Sequence, residues 1–154
     1  MKIIQAQSTE QIDSARQLFL EYEKEINVDL CFQGFAEELK NLPGKYDPPD
    51  GALLLAMADQ QALGCVALRR FSSTAAEMKR LYVQPLHRHL GLGQVLARRI
   101  VERARELGYR RMVLDTLDTM HGAQALYRSL GFVDIDAYYD NPLPGALYFA
   151  KDLL

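Results

Sequence analysis

Residues 84–96 read QPLHRHLGLGQVL. They stand between an apolar run, EMKRLYV (residues 77–83), and an arginine-rich stretch with helical periodicity, LGQVLARRIVERAREL (residues 92–107). Leu92, Val95, Leu96, Ile100, Ala104 and Leu107 recur on one face of the latter, and Gly108 offers a stop. A helix start presents unpaired N–H groups and the positive end of a dipole, which together suit a phosphate. Gly91 and Gly93 let such a backbone approach an anion closely because neither carries a Cβ. Arg88, His87 and His89 add positive charge beside them. Two glycines before a helix also arise from packing or turn requirements alone, so the rest of the chain has to agree.

Working outward from the loop, KIIQA reads as a first strand. Ser8 and Gln11 have capping-box spacing, and Ile12, Ala15, Leu18, Phe19, Tyr22 and Ile26 follow at helical intervals. A shorter helix is predicted over residues 32–42, FQGFAEELKNL, followed by the loop PGKYDPPDG. GALLLAMA and ALGCVALRRF read as two strands joined around DQQ. After the central helix come a strand RRMVLD, a helix HGAQALYRSL capped by Asp118 or Thr119, a strand FVDID, and a closing strand within YYDNPLPGALYFAKDL. Strand, helices, antiparallel-looking strands and two strand–helix units make a mixed α/β sandwich.

The totals limit the alternatives. The chain has 154 residues, 49% of them hydrophobic and 25% charged, as expected of one globular domain spanning residues 1–154. The apolar run at the start is too short for a signal peptide, and no stretch of about 18 apolar residues suggests a membrane span, so a cytoplasmic protein without membrane contact is expected. Cys31 and Cys65 are far apart and outside any C-x-x-C arrangement, which suggests neither a redox pair nor a metal site. Residues 1–60 hold 5 Lys/Arg against 11 Asp/Glu, a net of −6, while the remainder nets +4. Such an asymmetry fits an anionic ligand on one half and a cationic substrate on the other; solvated helix faces give the same count. Arg98, Arg99, Arg103, Arg105, Arg110 and Arg111 cluster without any reading motif or stacking surface, so nucleic-acid binding is not expected.

Two nucleotide-binding motifs compete for the glycine loop. A P-loop needs Lys and a hydroxyl residue after its last glycine, and Gln94 and Val95 stand there. A dinucleotide-binding unit would use Asp115 as its ribose acid, but its third small position is Leu96, and seven residues separate strand from glycine where that turn should be tight.

R-H-L-G-L-G at residues 88–93 has the pattern Q/R-x-x-G-x-G/A. EMKRLYV precedes it, and LDT and then A-x-x-L-Y-x-S-L-G-F at residues 123–132 follow in order. In these features the chain resembles the GNAT family of acyl-CoA-dependent N-acetyltransferases, by motif over roughly residues 50–154. The resemblance implies a mixed, mostly antiparallel central sheet with a splayed pair of central strands, flanked by helices on both faces. It implies that backbone groups of Leu81, Tyr82 and Val83 meet the pantetheine arm of acetyl-CoA, and that Arg88 with the amides of His89, Leu90, Gly91, Leu92, Gly93 and Gln94 holds the pyrophosphate.

Acetyl transfer requires a neutral amine, hence a proton acceptor, and an acid to protonate the departing thiolate. By the same resemblance Glu77 is the base and Tyr127 the acid, a strand N–H meets the oxyanion, and no covalent intermediate or metal is needed. Solvation of Glu77 at a strand edge and plain packing of Tyr127 are the competing explanations. Met120 stands where many relatives carry an asparagine, which puts one cofactor contact in doubt.

The implied activity is transfer of acetyl from acetyl-CoA to a primary amine of a small molecule or peptide within a ternary complex. The alternative is a non-catalytic acyl-CoA sensor, and a homodimer is compatible with either. The acceptor site would be framed by Tyr22, Glu25, Phe32, Phe35, Tyr138, Tyr139, Asp140 and Asn141, and the acidic N-terminal half favours a positively charged amine.

Overall fold

Ser8 fixes where the first helix starts, in the way its spacing to Gln11 predicts. The computed structural model describes residues 1–154, and in it strand β1 (Lys2–Gln5) runs into helix α1 (Thr9–Ile26). Ser8 Oγ accepts from the Gln11 amide at 3.1 Å, and Gln11 Oε1 accepts from the Ser8 amide at 3.1 Å. Two donors that the helix itself cannot satisfy are thereby paired. The helix predicted over residues 32–42 is divided. Gly34 sits at φ 71°, a left-handed conformation cheap only for glycine, and separates a single 3-10 turn, Cys31–Gln33, from helix α2 (Phe35–Asn41).

Strands β2 (Ala52–Ala58) and β3 (Gln61–Arg70) form the expected hairpin around Asp59 and Gln60. Strand β4 (Ala75–Val83), helix α3 (Leu92–Glu106), strand β5 (Arg111–Leu117), helix α4 (His121–Ser129), strand β6 (Val133–Ile135) and strand β7 (Ala146–Asp152) complete the chain. The cap expected of Asp118 or Thr119 does not form. Met120 occupies the cap position of α4 without a side-chain bond, and the Asp118 carboxylate lies instead against Gly145, where even a Cβ would come within 2.4 Å of it.

The seven strands lie in one sheet in the order β1-β2-β3-β4-β5-β7-β6. Every pairing is antiparallel except β4 with β5. This topology excludes the dinucleotide-binding alternative, which needs a mostly parallel sheet. One face is covered by α3 and α4 around Leu96, Ile100, Met112, Leu114 and Phe149, and the other by α1 and α2 around Leu18, Phe19, Leu53 and Leu55. Phe19 and Phe149 are fully buried, and side chains of this kind contribute about 1.5–3 kcal/mol each by leaving water.

Two irregularities of β4 shape the site. Its ladder with β3 slips between Cys65 and Ala67, and Arg80 at the slip has φ 61°, so the strand carries one extra residue there. Toward β5, β4 pairs only at Ala75, Ala76 and Glu77. Beyond Glu77 the two strands part, while β5 stays paired with β7 as far as Leu117.

Candidate active site

The opening between the parted strands is a cleft lined by Met78 and Leu81 of β4, Asp115, Thr116 and Leu117 of β5, and Tyr127 of α4. Tyr82 and Val83 pair with Cys65 and Gly64 on the β3 side, and Leu81 at the bulge has no partner there. Past the mouth of the cleft, Gly91 takes φ 71° and starts α3. The amides of Leu92, Gly93 and Gln94 make no hydrogen bond within the chain, as the first turn of a helix requires. A Cβ on Gly93 would meet nothing closer than 3.7 Å, whereas Gly91 is needed for its φ alone.

Arg88 is already engaged. Its Nε donates to the Val83 carbonyl at 2.9 Å, its guanidinium pairs with Glu25 at 2.5 Å, and it lies 5.7 Å over the ring of Tyr82. It therefore ties the loop to α1 and to the end of β4. His89 and Leu90 are exposed on the same loop.

Tyr127 is 6% exposed and packs against Phe132 and Phe149, with ring centroids 6.0 and 6.1 Å away. Its hydroxyl has no hydrogen-bond partner in the chain. Burial, with the charge of Asp115 and the Tyr22 phenol adding to it, pushes its pKa well above the ordinary tyrosine range. A phenol so placed keeps its proton and can donate it into the cleft.

A second, wider cavity of about 600 Å³ opens between α2 and the face of β3 and β4. Glu77 stands in its wall, 1% exposed. Arg69 Nε donates to Glu77 Oε1 at 2.8 Å, and the Tyr138 hydroxyl donates to Oε2 at 2.5 Å. Lys79 Nζ lies 4.0 Å from Oε1. Behind it Arg80 sends two parallel bonds of 2.9 Å to Glu38 and a third of 2.9 Å to Gln33, and stacks 5.1 Å over Phe35. Burial alone would lower the Arg80 guanidinium, but the hydrogen bond and charge of Glu38 hold it above its ordinary value. Asp115 accepts from Tyr139 at 2.5 Å and from Asn141 at 3.3 Å, and Gln33 donates to the Tyr139 hydroxyl at 3.1 Å.

Glu77 and Tyr127 thus face different cavities. Gln33 and Lys79 alone line both, and they are hydrogen-bonded to each other at 3.0 Å. Of the residues expected to frame an acceptor, Tyr22 lines the cleft, Phe32 and Tyr139 the wider cavity, and Tyr138 and Asn141 reach the latter through Glu77 and Tyr139. Phe35 lies buried beneath Arg80, Glu25 is turned to Arg88, and Asp140 is exposed. Gln33, Glu38, Arg69, Lys79 and Arg80 escape sequence reasoning. The one signal for them is the pair of consecutive charges, Lys79-Arg80, which breaks the alternation of the strand.

The family model described as the acetyltransferase (GNAT) family matches residues 12–132. An uncharacterized N-acetyltransferase of Schizosaccharomyces pombe is 44% identical over 144 residues, covering 92% of this chain and 88% of the yeast protein. Among solved structures, an acetyltransferase of the GNAT family from Staphylococcus aureus superposes with a TM-score of 0.82 at 22% identity over 99% of both chains. An aminoglycoside 6'-N-acetyltransferase complexed with coenzyme A superposes with a TM-score of 0.74 at 16% identity, over 100% of this chain and 98% of the other. These two likenesses establish the fold.

Proposed function

Since this chain belongs to the acetyltransferase (GNAT) family, whose members are acyl-CoA-dependent acyltransferases, we propose that it acetylates a primary amine of a small molecule or peptide by direct attack within a ternary complex. The observation that carries this reading is the parting of β4 from β5 after Glu77, with Tyr127 in the wall of the resulting cleft.

The residues present fit acetyl-CoA as co-substrate. The open amides of Leu92, Gly93 and Gln94, with the loop from Arg88 to Gly91, suit a pyrophosphate. The backbone of Leu81, Tyr82 and Val83, on the side that β5 leaves, suits the amide-bearing arm. A coenzyme A complex of a protein with the same fold supports the assignment. When bound, acetyl-CoA supplies the acetyl group as an activated thioester.

Glu77 takes the proton that leaves the amine, and Tyr127 donates one to the departing sulfur. Each group lines a cavity of its own and the two cavities share Gln33 and Lys79, which supports a proton leaving on one side and arriving on the other. Direct attack is supported by the cysteines. Cys65 is fully buried, and burial pushes its thiol far up, while the exposed Cys31 is raised by its hydrogen bond to Asp29 and lines neither cavity.

The test is release of free CoA thiol from acetyl-CoA in the presence of a panel of primary amines, with the acetylated product identified by mass. Tight CoA binding with no thiol release for any amine would instead favour an acyl-CoA sensor.

A further inference from the structure

Lys79 holds a buried ammonium that the chain does not satisfy. Its side chain is 9% exposed. One of its three N–H groups reaches Gln33 Oε1 at 3.0 Å, an oxygen that also receives Arg80 Nη1 at 2.9 Å. The nearest carboxylate, Glu77, is 4.0 Å away, beyond hydrogen-bonding distance, and Arg69 and Tyr138 hold it there while leaving each oxygen a further acceptor site. Glu38 is committed to Arg80, and Asp115 on the far wall of the cleft to Tyr139 and Asn141. Two donors of an ion nine-tenths removed from water are left without acceptors, a costly arrangement unless something else supplies them. Burial draws the Lys79 pKa down, which an incoming anion would reverse.

We infer that Lys79 receives a carboxylate carried by the acceptor itself, so that the preferred acceptors are free amino acids and close derivatives in which amine and carboxylate share a carbon. The inference rests on the acetyltransferase reading and narrows its substrate class. Three observations fix its terms. A full negative charge answers a buried ammonium, whereas an uncharged thioester carbonyl does not. Glu77 is matched by Arg69 and Glu38 by Arg80, so the charge left over on this wall is the single one of Lys79, which one carboxylate matches and a dianion exceeds. Lys79 lines both the strand cleft and the wider cavity, so a group bound to it lies next to the reacting nitrogen. The short separation of Lys79 Nζ from Glu77 Oε1, 4.0 Å, suits a carboxylate and an amine on the same carbon, the first on Lys79 and the second toward Glu77.

The experiment measures thiol release from acetyl-CoA for matched triplets: an amino acid, its carboxamide and its decarboxylated amine, in apolar, acidic and basic series. For the best series the free acid should exceed both partners in kcat/KM by roughly ten- to hundredfold, the range of a charge-assisted hydrogen bond. In Lys79→Met that preference should fall to near unity, through KM for the acid, with CoA binding by calorimetry retained. Carboxamides or decarboxylated amines that react as well as the acids overturn the inference and leave the acetyltransferase reading intact. A Lys79→Met enzyme slowed by one common factor in kcat for all three members also overturns it, because Lys79 would then act on the transfer and not on the carboxylate. Should the variant fail to bind CoA, the triplets with the unaltered protein decide alone. Absence of thiol release with every amine removes the acetyltransferase reading and this inference with it.

Discussion

The Tyr138 hydroxyl donates to Oε2 of Glu77 at 2.5 Å, so the segment before β7 closes over the buried carboxylate of β4. With Arg69 on the other oxygen, Glu77 is held in one orientation by two groups from separate parts of the chain. In the proposed transfer this makes Glu77 a base whose direction is fixed before the amine arrives, which loses little entropy in the reaction.

Replacing Glu77 by Gln should abolish most activity or move the pH optimum upward, because only amine already deprotonated in solution would then react. It also leaves the Arg69 guanidinium beside a neutral amide. Rates across pH 6–10 for both proteins are the measurement, and superimposable profiles would take Glu77 out of the chemistry.

Tyr127→Phe should lower kcat by about ten- to a thousandfold with CoA affinity nearly unchanged, as expected when an acid catalyst is lost without disturbing binding. The hydroxyl has no partner in the chain, so its removal should cost little stability. Single-turnover rates together with calorimetric CoA titration distinguish this from a packing role, for which the rate would hold.

Glu38→Ala strips the two-pronged partner from Arg80, whose side chain is 3% exposed. A buried ion left uncompensated costs about 3–5 kcal/mol, and for a chain of this size the melting temperature should fall by roughly 6–20 °C. Thermal unfolding measures it. A fall of only about 1–2 °C would mean that Gln33 and the Phe35 ring suffice for Arg80.

At high pH the protein should loosen before its arginines titrate. Burial raises the Tyr22 phenol from 10.0 to about 12. A raised pKa means that the folded state holds its proton longer, so the associated stability is complete below pH 10 and is lost as pH climbs toward 12. Melting temperatures recorded from pH 8 to 12 should be level at first and decline in the upper part of the range. Tyr22→Phe should make that decline shallower without removing it, because burial raises Tyr82 and other phenols in the same direction.

Features written in consecutive residues were legible without coordinates. The Ser8–Gln11 box, the stripe of α3 and the Gly91 turn each depend on neighbours within one or two helical turns, and motif order singled out Glu77 and Tyr127 as candidates. The wall of the wider cavity was not legible, because its bonds join residues far apart in sequence: Glu38 with Arg80, Gln33 with Tyr139, Glu77 with Tyr138. Gly34 inside a helical pattern and Asp118 before one show the same limit. Each has a local preference that a distant or backbone requirement overrides, left-handed φ in the first and contact with Gly145 in the second.

The extra residue at Arg80 leaves the alternation of β4 intact on either side of it. Lys79 and Arg80 both turn to the α2 side, and Tyr82 and Val83 then resume alternation, one toward α1 and the other toward α3. A strand of plain alternation has one residue fewer between Lys79 and Tyr82, so the bulge leaves those two on one face and adds Arg80 there as a second cation. A chain lacking that residue would keep Tyr82 and Val83 on their present faces and lose only the guanidinium that Glu38 and Gln33 hold.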